Sequence, residues 1–103
     1  MKSRFHEQAE TDLAEAVGYY ERQSLGLGSR LLAEVRAAVQ FIEEFPMGAP
    51  SIDQQIRGKV LVRFPHTLLY LVGKAEIVIL AVAHQNQDPE VWRIVVAGRW
   101  PGA

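Results

Sequence analysis

The chain has no cysteine, which removes both a disulfide framework and any thiolate metal site. No apolar run approaches the roughly 20 residues that a membrane span requires. The opening MKSRFHEQAE lacks the apolar core of a secretory signal. Together these gaps predict a cytoplasmic protein with no membrane partner. One-sided charge is missing too: 11 Lys/Arg stand against 12 Asp/Glu, a net charge of −1, so a nucleic-acid coat is excluded and direct DNA binding is not expected. The three histidines at 6, 66 and 84 lack ligand spacing. There is no glycine-rich phosphate loop and no nucleophile elbow. Neither a metal nor a cofactor is therefore expected.

What the chain does have is enough length, 103 residues with about half of them apolar, for one domain spanning 1–103 with a modest core. Its charge is unevenly placed. Residues 1–51 hold 5 Lys/Arg and 8 Asp/Glu (−3), whereas residues 52–103 hold 6 and 4 (+2). The two halves could face different partners, or two ordinary solvated surfaces could simply differ.

From Glu7 to Gln23, the positions Ala9, Leu13, Ala16, Val17 and Tyr20 recur at helical steps, leaving Glu10, Asp12, Glu15 and Glu21 for water. Gly26-Leu27-Gly28 breaks that helix, and Ser29 is a candidate cap for the next. Leu31, Leu32, Val35, Ala38, Val39, Ile42 and Phe45 carry a second stripe, which Pro46 ends. IRGKVLVRF then alternates, with Arg57, Lys59, Leu61 and Arg63 on one face. TLLYLV and EIVILAVAH follow as apolar strands around Gly73-Lys74-Ala75. Residues Lys2 to Phe5 could add a short strand. Asp88-Pro89-Glu90 starts a last helical turn, and GRWPGA reads as a frayed tail. The expected class is α+β: an N-terminal helical hairpin packed on one face of a small antiparallel sheet, with a short C-terminal helical turn.

On that skeleton, Arg57, Lys59 and Arg63 would project from the open sheet face about 7 Å apart. They invite an anion, either phosphate or an acidic peptide. A solvated face with arginine stems over Leu61 explains the pattern equally well. His84, on the side of Val82 and Leu80 if the strand is regular, could act as a general acid or base. A strand-end histidine is more often plain hydrogen-bonded structure. His66, beside Pro65, reads as surface, and Trp92 and Trp100 as packing residues.

The order of these elements, together with the stretches LAEAVGYYERQSLGLGSRLLAEVRAAVQFIEEFP, IRGKVLVRFPHTLLYLV and VILAVAHQNQDPEVW, resembles the RelE/ParE superfamily of toxins from bacterial type II toxin–antitoxin systems. The likeness runs from about Arg4 to Trp92 and leans to the ParE-like and plasmid stabilisation branch. It implies a toxin neutralised by a cognate antitoxin whose C-terminal segment folds as it binds. It also implies one of two targets: DNA gyrase, inhibited by binding, or the ribosome, where messenger RNA is cut. Cutting requires cations for the developing phosphorane charge as well as an acid and a base. Lys59 and Arg63 lie where basic residues are expected, and His84 could help. However, Thr67, Gln85-Asn86-Gln87 and Trp92 stand where the resemblance leads one to expect arginines and a tyrosine. The preferred expectation is therefore a gyrase-binding toxin that docks target or antitoxin through Arg57, Lys59, Arg63, His84, Gln87 and Trp92. The alternative is a ribosome-dependent endoribonuclease using Lys59, Arg63 and His84. A third possibility is a degenerate toxin that retains only antitoxin binding.

Overall fold

A computed structural model describes residues 1–53 and 55–99, so Trp100 and the end of the tail lie outside the described residues. The elements run β1 (Ser3–Phe5), α1 (Glu7–Gln23), α2 (Leu27–Glu44), β2 (Ser51–Asp53), β3 (Ile56–Val60), β4 (His66–Val72), β5 (Ile77–His84) and α3 (Pro89–Gly98). The sheet order is β1-β5-β4-β3-β2. β1 exists, but it pairs parallel to β5, so the sheet is mixed where an antiparallel one was expected. β2 is an unanticipated fifth strand on the far edge.

α1 begins where the His6 side chain accepts a hydrogen bond from the Gln8 N–H at 3.1 Å. The α1–α2 turn is set by Gly26, whose φ of 87° is the left-handed conformation that glycine adopts freely. Glu21, expected in water, instead accepts from the Gly26 and Gly28 N–H groups at 2.9 and 3.0 Å. It thereby supplies the acceptor that was expected from Ser29. A Cβ at Gly28 would come within 2.6 Å of the Val17 carbonyl oxygen, so the close approach of the two helices requires glycine there.

Leu31, Val35, Ala38 and Ile42 of α2 pack with Leu61, Phe64, Leu68, Tyr70, Ile77, Ile79 and Val82. The opposite face is not open, contrary to expectation. Ile56, Leu69, Leu71, Val78, Leu80, Ala81 and Ala83 form a second cluster there under α3, with Val96 buried and Trp92 and Val95 packed alongside. α3 is a ten-residue helix rather than a single turn, capped as expected by Asp88, whose Oδ1 accepts from the Glu90 N–H at 2.8 Å. Its end does not fray at Arg99, which holds Asp12 through Nη1 at 2.6 Å and Nη2 at 3.1 Å.

One irregularity sets the faces of β5. Leu69 pairs with Ala81 and Tyr70 with Ile79, which leaves Leu80 as an extra residue. Leu80 and Ala81 therefore both enter the second cluster, and Val82 returns to the hairpin side. His84 shares its side with Val82 but not with Leu80, because the strand carries this bulge. Asp12 and Arg99 satisfy the backbone beside it. Asp12 Oδ2 accepts from the Val82 N–H at 3.1 Å, and Arg99 Nη1 donates to the Leu80 carbonyl at 3.0 Å.

Candidate functional site

The bulge brings His66 and His84 into register at the open end of the β4–β5 pair. Their rings meet edge to face with centroids 5.1 Å apart. Tyr20 comes from α1 to contact His66, its hydroxyl 3.2 Å from His66 Nε2. His66, expected on the surface, is only 7% exposed, because the first residue of β4 sits beneath the hairpin. Its Nδ1 is buried without a hydrogen-bond partner. Burial first, and the neighbouring His84 second, hold its pKa below the ordinary histidine value. Burial, with a smaller contribution from Tyr19, raises that of Tyr20. His84 Nδ1 accepts from the Asn86 N–H at 3.0 Å. The neutral ring therefore carries its proton on Nε2 and can donate.

Around this trio lies a concavity of about 500 Å³, lined also by Asp12, Glu15, Tyr19, Val82 and Gln87. Its charged walls are acidic. Asp12 is matched by Arg99, whereas Glu15 has no ion pair among the described residues. The pocket offers an imidazole N–H, amide and phenol groups and one carboxylate. Such a lining favours hydrogen-bonding or cationic groups and disfavours phosphate. Among the described residues, no three His, Asp or Glu side chains converge as metal ligands.

Of the site residues named from the sequence, His84 and Gln87 share this concavity. The basic residues do not form a stripe on an open face. Arg57 turns toward the hairpin side, donating to the Ala49 carbonyl at 2.8 Å and the Met47 carbonyl at 3.5 Å. Lys59 lies 4.5 Å from the centre of the Phe41 ring on α2. Arg63 lies beyond the end of β3, where its backbone N–H donates to Glu34 at 3.1 and 3.3 Å. The loop carbonyls after α2 and the Phe41 ring meet Arg57 and Lys59, so the two cations have partners within the chain. Trp92, on α3, packs against the second cluster with its Nε1 buried and without a partner. Thr67, beside His66, is 2% exposed in the core of the sheet.

The residues that sequence reasoning missed are Tyr20, which carried only a helix stripe, and His66, Asp12, Glu15, Tyr19 and Arg99. The available signal was the pair of histidines flanking one β-hairpin.

A family model described as "ParE toxin of type II toxin-antitoxin system, parDE" matches residues 4–89. The chain belongs to the ParE toxin family. No curated protein matches this ParE-family chain. Eight chains of solved structures do. One is titled "Chromosomal ParDE TA system from P. aeruginosa", with 23% identity and a TM-score of 0.60, covering 82% of this chain and 95% of that one. At that identity the likeness speaks for the α+β fold of a ParE-like toxin. None of the helices of this ParE-family chain is long and apolar enough, among the described residues, to cross a membrane.

Proposed function

We propose that this ParE-family chain is a single-domain cytoplasmic toxin that arrests growth by binding DNA gyrase, and that a cognate antitoxin neutralises it by folding a segment onto its surface. The observation that carries the choice of target is electrostatic. The concavity holding the His66–His84 pair carries Asp12 and Glu15 on its walls and, among the described residues, no lysine or arginine. Arg57 and Lys59 are engaged elsewhere. Cleaving RNA requires cations beside the phosphorane, and losing one such group commonly lowers the rate by about a hundredfold or more. Binding a protein has no such requirement. His84, Gln87 and the concavity they share are then docking features.

A second reading, ribosome-dependent RNA cleavage through Lys59, Arg63 and His84, draws on the acid–base contact between Tyr20 and His66 at 3.2 Å. The two readings separate in one experiment: tightly induced expression in bacteria with pulse-labelling of thymidine and methionine. An early fall in DNA synthesis, followed by inhibition of supercoiling by purified gyrase, supports the first. Immediate collapse of protein synthesis sinks it. If neither falls while the chain is folded, the degenerate toxin is the remaining reading. Rescue by the product of an adjacent reading frame tests the antitoxin directly.

A further inference from the structure

α3 does not fill the space between itself and the outer strands. A cavity of about 160 Å³ lies there, with Trp92, Arg93, Val96 and Ala97 on the helix side and Ile52, Asp53 and Ile56 on β2 and β3. Ile56, Leu69 and Val96 are its buried floor, whereas Asp53, Arg93 and Ala97 are exposed. Ile52 makes a fixed wall. It lies over Gly58 so closely that a Cβ there would come within 2.3 Å of the isoleucine Cδ1. Protein interiors leave few voids larger than a water molecule. An apolar void of about 150 Å³ holds one benzene ring.

Two polar features narrow the choice of occupant. Trp92 lines the cavity, and its indole N–H is buried with no acceptor among the described residues. A buried donor left unpaired carries its full desolvation cost, so a ligand that brings an acceptor is favoured. The charges, in contrast, are already matched. Arg93 pairs with Asp53 on the opposite wall at 3.5 Å and with Glu90 three residues earlier on α3. An ionised ligand would give up its hydration and find no free counter-charge in return. A mostly apolar cleft with one directed polar group is the usual form of a small-molecule site.

We infer that this cavity binds a small uncharged ring compound, a single aromatic ring carrying one hydrogen-bond acceptor. The ring rests on Ile56, Leu69 and Val96, and the acceptor meets the Trp92 N–H. Such an occupant touches α3 and the sheet together, so it holds closed a helix that buries little area of its own. The cavity shares no lining residue with the histidine concavity, and the inference holds whichever target the chain poisons.

The test uses the full chain, isotope-labelled for nuclear magnetic resonance, and three ring compounds of nearly equal shape: acetophenone, benzoate and isopropylbenzene. Acetophenone should bind saturably, with a dissociation constant of about a millimolar or tighter, and shift the Trp92 indole N–H signal. Trp92→Phe assigns that signal by removing it. Benzoate should bind at least about tenfold more weakly than acetophenone. Trp92→Phe should weaken acetophenone at least about threefold more than it weakens isopropylbenzene, because only the ketone loses a hydrogen bond. Ala97→Phe, at an exposed position on the cavity, should fill it and abolish binding of all three, and a melting curve checks that each variant is folded. Saturating acetophenone should also raise the melting temperature and slow hydrogen exchange in α3 more than in α2. Absence of saturable acetophenone binding overturns the inference. So does tighter binding of benzoate, an equal loss of both neutral compounds in Trp92→Phe, or acetophenone binding that survives in a folded Ala97→Phe chain.

Discussion

The two faces of the sheet are covered on different terms. On one side the 18-residue α2 sinks Leu31, Val35, Ala38 and Ile42 into a shared core, with α1 sealing its flank. On the other, the ten-residue α3 buries only Val96 fully and leaves Val91 and Ile94 facing water, the latter 72% exposed. What α3 lacks in buried area it recovers in polar fastening. Arg99 grips Asp12 at one end, and Arg93 reaches Asp53 on β2 at 3.5 Å. Hydrophobic burial is non-directional and accumulates with area, whereas a clamp acts at one point. The hairpin face should therefore set global stability, and the α3 face should be able to open by itself.

The largest effect expected from this contrast is at Ile42, fully buried under the hairpin. Ile42→Ala should cost about 2–5 kcal/mol in denaturant unfolding. Val96→Ala, which removes less from a thinner layer, should cost about 1–2 kcal/mol, and Ile94→Ala should change stability by less than about 0.5 kcal/mol. Comparable losses at Ile42 and Ile94 would break the comparison. Next in size is Asp12→Ala, which strands the Val82 N–H and the Arg99 guanidinium together. A loss of about 2 kcal/mol is expected. Hydrogen exchange should quicken in α3 while α2 stays protected. Equal quickening in both helices would mean that the two faces form one cooperative unit.

The helices were legible because their stripes are long. The Glu7–Gln23 span follows from apolar spacing alone, whereas the start of α2 was hidden by a left-handed Gly26 and by an acceptor, Glu21, borrowed from α1. Alternation in β3 correctly grouped Arg57 with Lys59, but it says only which residues share a face, not which face meets the helices. Since β4 and β5 are apolar on both sides, nothing in their pattern breaks that tie. The candidate site was less legible for a related reason. Without the extra residue Leu80, His66 would stand opposite Ala83, and the histidine pair would not form. A bulge leaves almost no trace in an unbroken apolar run.

The pair also gives a way to sharpen the contrast without altering the core. Burial lowers the His66 pKa, so the folded state favours the neutral ring. The stability this brings is fully present above the unfolded-state value of about 6.5 and is lost as the pH falls below it. The groups around the ring are Tyr20, His84, Asp12 held by Arg99, and Glu15 at the rim. Lowering the pH from 7.5 to 5.5 should reduce the melting temperature of the parent, and His66→Gln should flatten that decline. An unchanged slope in His66→Gln would remove His66 from the account.

A small expected effect is the most discriminating about function. Lys59 contacts the Phe41 ring on the hairpin side, a half-exposed cation–π contact worth about 0.5–1 kcal/mol. Lys59→Ala should therefore lower the melting temperature by only a few degrees and leave the chain folded. If the toxin acts by binding through other surfaces, growth arrest should survive the substitution, and a supercoiling assay should show the same inhibition of gyrase. A folded Lys59→Ala chain that no longer arrests growth would instead restore Lys59 to a direct role and favour RNA cleavage. The physical reason for expecting survival is local. An ammonium held against an aromatic ring on the covered side of the sheet would have to leave that contact before it could meet a phosphate, and the acidic walls around His84 would not attract one.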